Sequence, residues 1–171
     1  RAGVGGGMAV GGSGDGGLYG LGCGTGERRW RFSHRGSWVV SSPAVRDQRV
    51  YVGSSDGRFF QAVDATSGKE LWRLPTPGNV LSSPALSGNT LVFGTEKSGA
   101  WAGELLAIDA QAGTVRWRLQ MPEAVWSSPV IASGEIYVGC DDGSVYAINE
   151  AAPSAPHLAV FYDSTFTTEG I

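Results

Sequence analysis

Charged side chains are scarce in this 171-residue chain: they make up 17% of it, and the formal net charge is −3. That balance gives no electrostatic case for a nucleic acid or an anionic membrane as partner. Cysteine is nearly absent. Cys23 and Cys140 fall in different segments, so they allow one disulfide and assign no redox compartment. His34 and His157 have no His or Cys neighbour at metal-ligand spacing. No apolar run approaches the roughly 20 residues that a membrane-crossing helix requires, and sustained helical periodicity is missing as well. The chain opens at Arg1 without an initiator Met or a signal-peptide pattern, which gives the expectation of a processed protein or a piece of a longer one.

Glycine, by contrast, is abundant, with 27 residues. Together with 42% hydrophobic residues this composition points to many short strands and tight turns around a real core, not to disorder. Self-comparison finds the order behind it. Ser41-Ser42-Pro43 recurs as Ser82-Ser83-Pro84 and Ser127-Ser128-Pro129, at intervals of 41 and 45 residues. A glycine follows each proline at a fixed distance (Gly53, Gly94, Gly139), preceded by Val50-Tyr51-Val52, Leu91-Val92-Phe93 or Ile136-Tyr137-Val138. Each unit closes on a tryptophan: Trp30, Trp72, Trp117.

Three strand signals and a turn-rich closing segment can be placed in each unit. The first strand follows the serine pair and starts at its proline, a residue tolerated only at a strand start or an unpaired edge. The second is the Val50-Tyr51-Val52 type of run. Asp56-Gly57 or Asp142-Gly143 turns it into the third, which carries Phe59-Phe60, Leu105-Leu106 or Val145-Tyr146. A fourth, outer strand holds the tryptophan. Four short strands every 40 to 45 residues make a β-propeller blade. A sandwich could use the same strands, but it has no reason to repeat its turn chemistry in register.

The layout expected is a glycine-rich frayed segment over 1–11, a partial blade over 12–30, blades over 31–72 and 73–117, and an incomplete last blade over 118–150. Residues 151–171 read as a linker and the start of a following domain, with His157 to Tyr162 either a stray strand or that domain's first strand. The chain would then be the C-terminal end of a longer propeller. The fold expected is all-β: an open arc of about three four-stranded blades with an N-terminal half-blade. One extra residue, Gln61, predicts a β-bulge in the third strand of its blade. A longer hairpin over Glu96 to Gly103 places Trp101 on a loop.

Ala62-Val63-Asp64-Ala65-Thr66-Ser67-Gly68-Lys69-Glu70-Leu71-Trp72 precedes one unit's end. A second copy keeps Ala107, Asp109, Gly113 and Trp117, and an earlier one keeps Thr25, Gly26, Glu27 and Trp30 without the Asp. An Asp there can accept nearby backbone N–H groups, Gly closes the turn at positive φ, and the indole is a large plate with one polar edge. This spacing resembles the tryptophan-docking motif of the PQQ-like (quinoprotein-type, BamB-like) propeller repeat over about residues 12 to 150. The resemblance implies that the motif joins blades and is not an active site.

No catalytic constellation emerges. Gly12-Ser13-Gly14-Asp15-Gly16-Gly17 matches G-x-G-x-x-G, but Leu18-Tyr19 continues as strand where a dinucleotide site needs a helix. Asp141-Asp142 reads as a hairpin turn. The function expected is therefore a non-catalytic module binding a protein partner, with Trp38, Trp101 and Trp126 as contacts, no cofactor, and self-association through open sheet edges. The resemblance implies a periplasmic or extracellular location. Its alternative is a fragment of a quinone-dependent dehydrogenase, for which it implies PQQ and calcium; the adjacent cysteines that such enzymes often carry are absent here.

Overall fold

A computed structural model describes residues 2–97 and 102–151, and the backbone of 157–159. Among the described residues there is no helix. The strands form four antiparallel sheets, each built from strands consecutive in the chain. The first holds β1 (Ala2–Gly5), β2 (Met8–Gly12), β3 (Gly17–Gly22) and β4 (Arg28–Ser33). The second holds β5 (Ala44–Arg46), β6 (Arg49–Gly53), β7 (Phe59–Asp64) and β8 (Glu70–Pro75). In the third, β10 (Ala85–Ser87), β11 (Thr90–Lys97), β12 (Gly103–Asp109) and β13 (Val115–Gln120) are joined by the two-residue β9 (Gly78–Asn79) on β11. The fourth holds β14 (Val130–Ala132), β15 (Glu135–Gly139), β16 (Val145–Asn149) and β17 (His157–Ala159). First strands of neighbouring sheets touch, β1 with β5 and β10 with β14. The sheets therefore fan outward as blades of an incomplete, open β-propeller.

Two expectations are corrected at the ends. Residues 2–12 are not frayed: Gly6 and Gly7, both at positive φ, close a hairpin in which Val4 pairs with Ala9. The half-blade is thus a full four-stranded sheet. Glycine richness here serves close packing, since a Cβ on Gly5 would strike Val45 of the next sheet at 2.7 Å. At the other end, His157–Ala159 is neither a stray strand nor the start of another domain; it pairs with Val145–Ala147 and completes the fourth sheet. The bulge also lies elsewhere. The β6–β7 ladder runs regularly through Gln61, and the extra residue is absorbed in the hairpin, where Arg58 takes a φ of 53°. A register shift does occur one residue further on, between Ala62 and Val63, and its counterparts between Gly20 and Leu21 and between Ala107 and Ile108 make it a property of the repeat.

The hydrophobic cores lie between sheets. Alternate residues of one strand point to opposite faces, and here they enter different cores: Val50 and Val52 join Val10, Leu18 and Trp30, whereas Tyr51 joins Phe60, Leu91 and Phe93. Likewise Leu105 and Ala107 face Ile136 and Val138, while Leu106 and Ile108 face the second sheet. Burial on both faces explains the unbroken apolar runs of the second strands. Phe60 and Phe93 stack across one such junction with centroids 4.1 Å apart.

Two backbone devices hold the junctions on the inner side. The Ser42 amide donates to Ser83 Oγ at 2.8 Å, and the Ser83 amide to Ser128 Oγ at 3.1 Å. Val39, Val80 and Val125 press against Gly12, Gly53 and Gly94, where no Cβ would fit.

Gly113 has a φ of 71°, and a Cβ there would lie 2.6 Å from the Trp72 indole. Gly134 has a φ of 80° with open space around it. Gly113→Ala should cost about 2–4 kcal/mol, strain plus clash, and Gly134→Ala about 1–2 kcal/mol from strain alone. Equal losses in denaturant titration would show that the indole contact contributes nothing.

Candidate functional site

The docking motif is built at the outer strands. Ala62 sits beside Trp72 across β7 and β8, as Ala107 does beside Trp117 and Gly20 beside Trp30. A small residue at that point leaves room for the indole to lie over the sheet edge and reach the next blade. There Trp30 Nε1 donates to the Ala65 carbonyl at 2.7 Å and Trp72 Nε1 to the Ala110 carbonyl at 3.2 Å. Gly68 and Gly113, each with a φ of 71°, present a flat backbone to the two indole faces.

The aspartates shape those turns. Asp64 Oδ1 accepts the Ser67 hydroxyl and amide, both at 2.7 Å, and the Thr66 amide at 3.1 Å. Asp109 Oδ1 accepts the Gln111 and Ala112 amides at 2.9 Å, while Oδ2 takes Asn89 at 2.7 Å and Arg116 at 2.8 Å. The Ala112 amide first, then Arg116, hold the Asp109 carboxyl down at about 2, and the Ser67 hydroxyl lowers Asp64. The first turn keeps its shape without an Asp, through Gly26 N–H to the Gly22 carbonyl at 2.8 Å with Gly26 at φ 69°.

The other conspicuous surface is the end of the blades where the second-to-third-strand hairpins meet the links entering each sheet. Trp38 is 59% exposed, Val40 53% and Trp126 46%. Val40, Leu81 and Trp126 each stand directly before a serine pair, so they occupy one position of the repeat. The Trp38 carbonyl accepts the Ser55 amide at 3.0 Å and hydroxyl at 2.9 Å, the Val40 amide donates to Ser55 Oγ at 3.3 Å, and the Trp126 indole Nε1 donates to Glu96 Oε2 at 3.0 Å. Trp101, the third expected contact, lies outside the described residues.

Sequence reasoning missed a buried polar group at the first junction. His34, 4% exposed, accepts through Nε2 from Gln61 Nε2 at 2.8 Å, and Gln61 Oε1 accepts from Arg73 at 3.2 Å. Arg73 also lies over the Phe59 ring at 3.9 Å and pairs with Glu70. Burial, with the Arg73 charge beside it, pushes His34 down to about 4. Cys23 and Cys140 are both free thiols, one exposed and one buried. Among the described residues no group of three or more His, Cys, Asp or Glu side chains is gathered as a metal site, and no helix is long and apolar enough to cross a membrane.

The two titrating elements separate by pH. Unfolded His titrates near 6.5 and folded His34 near 4, so protonation favours unfolding as pH falls between those values. Asp109 adds stability above an unfolded value near 3.8 and loses it as pH falls toward 2. The thermal midpoint should decline in two steps, the upper one absent in His34→Gln and the lower one reduced in Asp109→Asn. A wild-type pH profile retained by both variants would refute these assignments.

A family model described as outer membrane protein assembly factor BamB matches residues 1–102 and 61–153. Among curated proteins none matches this chain. BamB of Moraxella catarrhalis superposes with a TM-score of 0.77 at 20% identity, over 92% of this chain and 48% of that one. A europium-containing methanol dehydrogenase gives 0.78 at 16% identity, over 94% and 41%. The computationally designed protein Ika4 gives 0.73 at 20% identity, over 86% and 88%. The chain thus spans about half the length of the BamB structure, and these likenesses establish the fold. With the family model matched over most of its length and the tryptophan joints in place, the chain belongs to the PQQ-like, BamB-type propeller repeat family.

Proposed function

We propose that the chain is a non-catalytic, protein-binding part of a larger propeller, and that it meets its partner through the blade end carrying Trp38, Val40 and Trp126. The observation that carries this reading is the exposure of two tryptophans and a valine at one end of the arc, with Trp38 and Val40 held through their backbones and Trp126 through its indole N–H. Rigid aromatic side chains of this kind anchor protein interfaces at low entropic cost. Membership of a family described as an outer membrane protein assembly factor supports a polypeptide partner, and the periplasmic or extracellular location goes with that reading.

The competing reading is a fragment of a quinone-dependent dehydrogenase, favoured by the superposition on the methanol dehydrogenase. Titration of the full-length parent with pyrroloquinoline quinone and calcium distinguishes them. Binding-module function predicts no saturable thermal shift; a saturable shift with new absorbance would replace it with the dehydrogenase.

Self-association is part of the proposal. Tyr137, at the repeat position where Tyr51 and Val92 are buried, is 42% exposed on the fourth sheet, near Val130 at 60%. Light scattering at high concentration should show species larger than the monomer, reduced by Tyr137→Ser. A clean monomer throughout would remove this element of the reading.

A further inference from the structure

The second sheet departs from the repeat at one end. At the position of Tyr51 the first and third sheets carry Val10 and Val92, all three buried. At the positions of Arg46 and Arg49 they carry Gly5 and Met8, or Ser87 and Thr90. Joining blades therefore requires neither the hydroxyl nor the two charges. Arg46 and Arg49 are direct partners in the β5–β6 ladder, across a turn in which Asp47 and Gln48 take φ values of 49° and 59°. Like charges at such a pair repel each other. Arg49 and Tyr51 stand two residues apart on one strand and so share a face.

That face meets the β10–β11 hairpin and the turn after Asp109 in a pocket of about 220 Å³, whose lining includes Arg46, Asp47, Arg49, Tyr51, Asn89 and Gln111. Every lining residue belongs to the described second and third sheets. Tyr51 is 3% exposed, and among the described residues nothing hydrogen-bonds its hydroxyl. A buried hydroxyl without a partner costs free energy. Burial also holds it above the ordinary tyrosine value, so it remains a neutral donor. Arg46 has only the largely exposed Asp47, with Nε 3.7 Å from Oδ2, and Arg49 spends one N–H on the Gln111 carbonyl at 3.0 Å. Asp109, the other carboxylate nearby, is already engaged by Asn89 and Arg116. The pocket thus offers donors and, with two arginines against Asp47, an excess of one positive charge. Its volume lies below the roughly 300 Å³ at which sites for drug-sized ligands begin.

We propose that this pocket binds a small carboxylate, held between the Arg46 and Arg49 guanidinium groups and accepting from the Tyr51 hydroxyl. A single negative charge matches the excess, and guanidinium donors fit the planar carboxylate. The site stands apart from the Trp38 and Trp126 surface: β6 runs from Arg49 here to Gly53 at the other end, where Ser55 meets Trp38. The test titrates the full chain with propionate at constant ionic strength and follows the arginine Nε–H resonances by NMR, with Arg46→Gln and Arg49→Gln assigning two of them. Those two resonances should move saturably, and each arginine variant and Tyr51→Phe should weaken binding by about tenfold. Without ligand, Tyr51→Phe should keep or raise the thermal midpoint, because it removes an unpartnered hydroxyl and leaves the ring in place. No saturable shift, the same response to chloride or inorganic phosphate, unchanged affinity in Tyr51→Phe, or a fall in the unliganded midpoint of that variant would each overturn the proposal.

Discussion

A sheet in this molecule has two apolar faces and no core of its own. Val50 and Val52 need the first sheet, while Tyr51, between them, needs the third. Everything else follows from that division. Stability arises at the junctions, so the structure behaves as a row of nearest-neighbour contacts, in the manner of repeat proteins. The links must be short enough to keep sheets in contact, and each link can carry a wedge, as Val39, Val80 and Val125 do against their glycines.

The outer joint adds direction to these contacts. Trp30 and Trp72 always reach forward, to the turn of the following sheet, and that turn always offers a carbonyl and a glycine face. An indole supplies a large apolar area and one donor, so a single residue both buries surface and sets register. The aspartates keep the turn in shape from the far side and remain charged over the physiological range. The serine contacts run the same way along the inner edge, from Ser42 to Ser83 to Ser128.

The repeat was legible because it is written in residues with narrow conformational options. Pro43, Pro84 and Pro129 mark strand entry, Gly68 and Gly113 mark positive φ, and Trp72 and Trp117 mark outer strands. The first strand was not legible, since Ala-Gly-Val-Gly carries almost no side-chain signal and is ordered by what packs on it. His157 to Ala159 was legible as a strand but not as the fourth of its sheet, because it lacks the motif that announces one. The valine wedges could have been found by extending the self-comparison two residues ahead of each serine pair. His34 with Gln61 could not, because it belongs to one junction only and no periodicity points to it.

The forward-reaching indole makes each unit carry one half of a joint at its leading side and the other half at its trailing side. Such an interface is heterologous, and copying a unit in tandem supplies both halves of every new joint at once. A gene encoding this pattern can lengthen or shorten by whole units without a compensating substitution elsewhere. A substitution confined to one unit, as with His34 and Gln61 at a single junction, then becomes the way one position along the row acquires a character that its neighbours lack.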